Sequence, residues 1–138
     1  MPAPRGRGAA AARRGATSLT NHPTLDPSDR QFLLTTAWMF LRHGQPTRAR
    51  ALCEAVLEED PRDGAAAAAL AMILLDAGEP AAALDALRAG SFPPSLDHAE
   101  ALLETRALLA LGKKSESAAR WRRHLEARKG AARTWVAR

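Results

Sequence analysis

The sequence has few of the residues on which disulfide-linked or membrane-spanning proteins depend. Its 138 residues include no tyrosine, three tryptophans, three phenylalanines and one cysteine, Cys53. A single cysteine excludes an internal disulfide and suits a reducing compartment. No apolar run approaches the ~18 residues of a membrane span, because Asp76 and Glu79 interrupt the most apolar stretch. We therefore expect a soluble protein, not embedded in a membrane, whose core is built mainly from leucine and alanine.

Residue groupings that would support catalysis or bind a metal are also missing. The histidines His22, His43, His98 and His124 are scattered, and Cys53 falls on an apolar stripe. No zinc-type spacing, phosphate-binding loop, dinucleotide fingerprint or nucleophile motif occurs. We predict that the protein is not an enzyme and that it has no catalytic residue, metal or cofactor.

The net charge of +5 is distributed unevenly along the chain. Residues 1–25 carry four arginines and no acid, residues 26–112 carry seven bases and thirteen acids, and residues 113–138 carry nine bases and two acids. No nucleic-acid recognition motif accompanies the basic ends, so we do not expect nucleic-acid binding. Residues 1–25 overlap in composition with organelle transit peptides, but their low hydrophobicity favours a disordered basic N-terminal segment.

The sequence does contain a repeat of 34 residues. Gly44, Gly78 and Gly112 are one period apart, apolar residues precede each glycine by three and four positions, and a small residue follows each by five. A period of 34 residues with helical spacing is typical of the tetratricopeptide helix-turn-helix repeat. The pattern predicts an all-α fold of three tetratricopeptide-like helical hairpins, stacked as a short right-handed solenoid.

Helix start and stop signals set the expected boundaries. Asp26 and Pro27 mark the first helix start, and Pro93 with Pro94 predicts an irregular end to the second repeat. The last helix is predicted to end near Arg128. The chain is thus divided into a disordered segment 1–25, a repeat domain 26–129 with repeats 26–61, 62–95 and 96–129, and a short basic C-terminal tail 130–138.

The first helices of stacked hairpins line a concave surface, which is the predicted binding site. Trp38 and Met72 are its natural anchors, because tryptophan offers a large rigid area and methionine adapts its shape. The alternative is that both side chains belong to the core. Tetratricopeptide domains that bind the C-terminal carboxylates of chaperones use several basic and amide side chains on these helices, and this surface offers only Arg106, so that subclass is not expected. We predict an apolar groove for a helix or extended segment of another protein, formed by Leu34, Trp38, Leu41, Met72, Leu75, Leu102, Arg106 and Leu109.

Two segments of the sequence indicate a particular family within the tetratricopeptide class. The run from Arg30 to Leu34, followed by Ala37-Trp38, Gly44, Arg48-Ala49 and Glu58-Glu59-Asp60-Pro61, resembles the opening of the small type III secretion chaperones of the YscY (SctY) family. Residues 107–112 and 121–126 are similar to the closing repeat of that family, so the resemblance covers about residues 29–129. It implies a chaperone of the bacterial cytoplasm that binds a small secreted injectisome component of the YscX (SctX) type. It also implies that the chaperone helps this client to engage the inner-membrane export gate.

Other functions remain compatible with the same fold. One is a chaperone for a needle subunit or a translocator of the same secretion system. Another is a self-associating tetratricopeptide adaptor, with a homo-oligomer forming when no client is present.

Overall fold

The computed structural model describes residues 25–137, and its long elements are α-helices. They are α1 (Pro27–Arg42), α2 (Pro46–Glu59), α3 (Gly64–Asp76), α4 (Pro80–Ala89), α5 (Asp97–Ala110) and α6 (Lys114–Ala137), with a short 3-10 helix at Pro94–Leu96. Consecutive helices pair as the hairpins α1–α2, α3–α4 and α5–α6, and each hairpin packs on the next. The predicted all-α solenoid of tetratricopeptide-like hairpins is confirmed. The predicted disordered segment lies outside the described residues, except for Leu25, which packs against the core.

The first helix starts where the sequence predicts. The Asp26 carboxylate accepts hydrogen bonds from the N–H groups of Ser28 at 2.8 Å and Asp29 at 2.9 Å. These bonds satisfy donors that have no partner inside the helix. The bond from Asp29, followed by that from the Ser28 hydroxyl, lowers the pKa of Asp26 below its usual value.

Each hairpin turns at a glycine in the left-handed region. The φ angles of Gly44, Gly78 and Gly112 are 70°, 76° and 79°. The N–H that follows each glycine donates to the carbonyl five residues earlier, at 2.8–2.9 Å, which is the Schellman arrangement of a helix C-terminus. A residue with a Cβ atom reaches this conformation only at a cost, so the glycine period fixes where each helix ends.

Small side chains let the two helices of a hairpin approach closely. The first hairpin uses Ala37 and Ala49 and the second uses Ala71 and Ala83, all of them fully buried. In the third hairpin the place is taken by buried Ser117, whose hydroxyl donates to a carbonyl oxygen of α5 at 2.9 Å. A larger side chain at these positions would force the helices apart and destabilise the hairpin.

The junction between the second and third hairpins is irregular, as predicted. Helix α4 ends at Ala89, and the N–H of Ser91 then donates to the carbonyl of Arg62 at 2.8 Å. A Cβ atom on Gly64 would collide with the carbonyl oxygen of Ser91. The loop therefore lies directly on the start of α3. Position 64 requires glycine because there is no space for a Cβ atom, and not because of its φ angle.

The last helix is longer than predicted. Helix α6 runs to Ala137, so the expected end near Arg128 is wrong, and most of the segment predicted as a tail is helical. No proline follows Arg128, and the residues around Gly130 are mainly alanine and arginine, which favour a helix. Trp135 and Val136 are exposed on this extension.

An ion pair connects the first two hairpins. The Arg30 guanidinium donates to both carboxylate oxygens of Asp63, whose side chain is only 4% exposed. Asp63 also caps α3 by accepting from the Ala66 N–H at 3.0 Å. Burial by itself would raise the pKa of Asp63, but the bonds from Arg30 and Ala66 outweigh it, and the pKa is lowered.

We predict that Gly78→Ala destabilises the protein by about 1 kcal/mol, because alanine is strained at positive φ. Space around a new Cβ atom is open at Gly78 and also at helical Gly130, so the two positions differ in backbone conformation alone. Gly130→Ala is the matched control and should stabilise α6 by roughly 0.5–1 kcal/mol. Urea unfolding followed by circular dichroism measures both, and shifts of the same sign would contradict the prediction.

We predict that Asp63→Asn costs about 1–3 kcal/mol at neutral pH, because it removes a charge-assisted hydrogen bond. A carboxyl whose pKa is lowered on folding contributes stability that is complete above its unfolded pKa of about 3.9 and is lost as pH falls through the folded pKa. The difference between wild type and variant should therefore shrink below about pH 4. Urea unfolding at several pH values tests this. Glu54→Gln is the control: it breaks the exposed pair with Arg50 and should change the stability only slightly. A difference independent of pH would contradict the assignment.

Candidate protein-binding groove

The concave face of the solenoid contains an apolar recess between α1, α3 and α5. It has a volume of about 150 Å³. The side chains that line it are all apolar: Trp38, Ala65, Ala68, Ala69, Met72, Leu96, Ala99 and Leu103. Ala65, Ala68 and Ala69 of α3 form its low floor, whereas Ala66 and Ala67 of the same alanine run are buried in the core.

Trp38 of α1 and Met72 of α3, the predicted groove anchors, line the recess beside this floor. Trp38 is 48% exposed, whereas its neighbour Ala37 is fully buried. Met72 is half-buried and packs against the core cluster that contains Leu103. About half of the Trp38 surface is thus accessible to a partner, while core side chains hold Met72 in place.

The other predicted residues of the first two hairpins are less accessible. Leu34 is only 8% exposed and packs against Val56 of α2 and Ala66 of α3, so it is a core residue. The second hairpin covers it, because α3 lies across this part of α1. Leu41 and Leu75 are half-buried and pack against the core at the edges of the groove.

The predicted residues of the third hairpin are exposed. Leu102, Arg106 and Leu109 are spaced by four and three residues and therefore lie on one stripe of α5. The Arg106 guanidinium is 3.8 Å from the Asp76 carboxylate, and both side chains are exposed. This pair contributes little to stability, and it places balanced charges at one end of an apolar surface.

Several groove residues were missed by the sequence reasoning. Ala65, Ala69, Ala99, Leu96 and Leu103 line the recess together with the predicted anchors. The alanine run of α3 was the available signal, since consecutive small residues on a concave helix allow another backbone to come close.

Two larger hollows, of about 540 and 490 Å³, lie beside the ion pair between the first two hairpins. Their charged lining includes Arg30, Asp60, Arg62 and Asp63. Arg30 and Asp63 bind each other, and the Asp60 carboxylate accepts from the Arg62 N–H at 3.1 Å. These groups support the helix ends and do not converge on a ligand.

The described residues offer no chemistry of the enzymatic kind at the groove. Cys53 is fully buried in α2, away from the recess, and burial, followed by the nearby Glu54, raises the pKa of its thiol to about 11. The thiol is therefore protonated and unreactive at neutral pH. Within residues 25–137, no three or more histidine, cysteine or acidic side chains are grouped to hold a metal ion.

The helices of this part of the chain do not meet the requirements of a bilayer span. None of them combines the necessary length with sufficient apolar character.

Comparison with known families agrees with this architecture. Residues 40–93 match one tetratricopeptide repeat profile, and residues 5–63 match a second. No curated protein matches the chain. The third hairpin has the same glycine turn at the same period, and solenoids of this kind bind other proteins on their concave surfaces. The described residues therefore form a tetratricopeptide-like helical solenoid, an architecture that typically serves as a protein-binding scaffold rather than as an enzyme.

Proposed function

We propose that this protein binds an apolar segment of another protein in the groove between α1, α3 and α5. The observation that supports this most directly is the half-exposed Trp38, which stands beside Met72 over an alanine floor. A tryptophan at the centre of a concave apolar surface is typical of an interface residue that carries much of the binding energy. An apolar partner would remove this surface from water.

The shape of the groove favours an amphipathic helix as the bound segment. Such a helix presents apolar side chains three and four residues apart, which fits anchors on successive concave helices. Trp38 lies on α1, Met72 on α3 and Leu102 on α5. The small side chains at Ala65 and Ala69 leave room for the backbone of the bound segment.

The charges around the groove favour a neutral client face. Helix α3 carries a single charged residue, Asp76, at its last position, and Arg106 of α5 lies beside it. A bound C-terminal carboxylate would need several converging donors, and a strongly charged segment would lose hydration without finding partners. Apolar contact is therefore the expected source of affinity.

For the client, we propose a small secreted component of a type III secretion system, of the YscX (SctX) type. In this role the protein is a chaperone of the bacterial cytoplasm that passes its client to the inner-membrane export gate. The support is the resemblance of residues 29–129 to the YscY (SctY) chaperones, together with the compact size and apolar groove. A client whose apolar face is covered is stabilised and protected from aggregation until it is released.

We predict that Trp38→Ala weakens client binding by about 2 kcal/mol or more, roughly 30-fold, and leaves the helical circular dichroism intact. The reason is that Trp38 is half exposed and contributes more to the groove than to the core. Co-purification of a co-expressed client and isothermal titration calorimetry measure the effect. Trp135→Ala is the matched control, because it removes the same side chain from an exposed site on the extension of α6.

Two outcomes would contradict parts of this proposal. Simultaneous loss of binding and of helical structure in Trp38→Ala would make Trp38 a core residue. If a needle subunit or translocator co-purifies as the main client instead of the YscX-type protein, the client assignment is wrong while the groove assignment stands.

A further inference from the structure

Helix α1 has an exposed apolar stripe on the face that points away from the rest of the solenoid. Phe32 is 69% exposed and Met39 is 56% exposed. One repeat later, the same positions are Ala66 and Ile73 of α3, which are buried between the first and second hairpins. Phe32 and Met39 therefore occupy stacking positions, and no hairpin of the described residues precedes them.

The opposite end of the solenoid has the complementary surface. In the first hairpin, Leu34 is buried and Leu57 half-buried where α3 packs. Two repeats later, these positions are Leu102 and Leu125, and both are exposed. Trp121 occupies the place of buried Cys53 and is itself half-buried. The third hairpin thus has an apolar surface on which a further hairpin could stack. No helix of the described residues covers it.

We propose that a second copy of this chain covers these surfaces, with α1 of one copy stacked on α5 and α6 of another. The contact continues the 34-residue register of the solenoid across two molecules. Because the surfaces lie at opposite ends of the chain, the contact is head-to-tail and leaves a free surface at each end of the assembly. Of the predicted groove residues it uses only Leu102, which does not line the recess, so Trp38 and Met72 stay accessible and the contact does not depend on the proposed client.

The charges at the two ends support this arrangement. Within the chain, Arg30 of the first hairpin pairs with Asp63 at the start of the second. In the same register, a contact between copies places exposed Asp29 of one copy opposite His98 of the other. The Arg128 guanidinium lies 3.3 Å from His98 Nδ1 and adds a positive charge at this point. At this junction the Asp29 carboxylate of one copy would therefore face the Arg128 guanidinium of the other, where the first junction within the chain has Asp63 and Arg30.

Residues 1–24 are the competing occupant of the α1 face. In the 34-residue register, the positions of Ala49, Cys53, Val56 and Leu57 correspond to Gly15, Leu19, His22 and Pro23. Only Leu19 of these four is a large apolar residue. The receiving face of a second copy offers Leu102, Trp121 and Leu125, so it covers Phe32 and Met39 with more apolar surface.

Two full-length variants test the proposal. Met39→Glu blocks the α1 face, and Leu125→Glu blocks the receiving face. In sedimentation velocity, the mass of the wild type should increase with concentration, and each variant alone should associate at least about tenfold more weakly. A mixture of the variants should form a dimer containing one copy of each, because each retains the face that the other lacks.

Several controls separate this contact from other effects. Val136→Glu introduces the same charge at an exposed apolar site on the extension of α6 and should leave association unchanged. Trp38→Ala should also assemble, since Trp38 is not part of the contact. Circular dichroism monitors folding, and Phe32→Ser replaces Met39→Glu if that variant does not fold. Asp29→Asn should weaken association several-fold, with the largest effect at low salt.

Four results would overturn the proposal. The first is a wild type that stays monomeric at all concentrations, and the second is a mixture of the two variants that forms no dimer. The third is dissociation by Val136→Glu, which would place the contact on the extension. The fourth is increased association in Leu19→Ser, which would mean that residues before α1 cover its face.

Discussion

The three hairpins depend on one backbone conformation, the left-handed turn at Gly44, Gly78 and Gly112. Each turn ends one helix and reverses the chain, and the N–H after the glycine satisfies a carbonyl that the helix leaves without a partner. Because the turns are 34 residues apart, the first helix of each hairpin ends, and the second helix begins, one period after its counterpart in the preceding hairpin. The close approach at Ala37 and Ala49, and its counterparts in later hairpins, follows from that register.

A regular register makes equivalent positions chemically similar but not equally buried. Leu34 is covered by the second hairpin, whereas Leu102, two repeats later, has no following hairpin and is exposed. Ile73 is buried in α3, and its counterpart Met39 in α1 is exposed. The ends of a short solenoid therefore retain stacking surfaces that the interior repeats use.

The groove derives its properties from contrast in side-chain size. Ala65, Ala68 and Ala69 of α3 form a low floor, and the larger Trp38 and Met72 side chains line the recess beside it. Such a surface recognises shape and apolar area, and it has few charged groups to select a partner by charge. The client class therefore rests on the sequence resemblance, while the groove rests on the exposure and packing of its own side chains.

The glycine period, the helix caps and the prolines were sufficient to predict the fold and most helix ends, because these signals act within a few residues. The end of α6 was missed, since a glycine such as Gly130 fits both a helix and a left-handed turn, and here the alanines and arginines around it favour the helix. The positions of Trp38 and Met72 in the repeat were enough to predict that both side chains line the concave face. The burial of Leu34 could not be predicted, because it depends on Ala66, which is distant in the sequence. The sequence by itself determined the repeat register and the apolar character of the concave helices. The tertiary structure alone decided which of those apolar side chains remain exposed, because exposure depends on whether a neighbouring hairpin covers them.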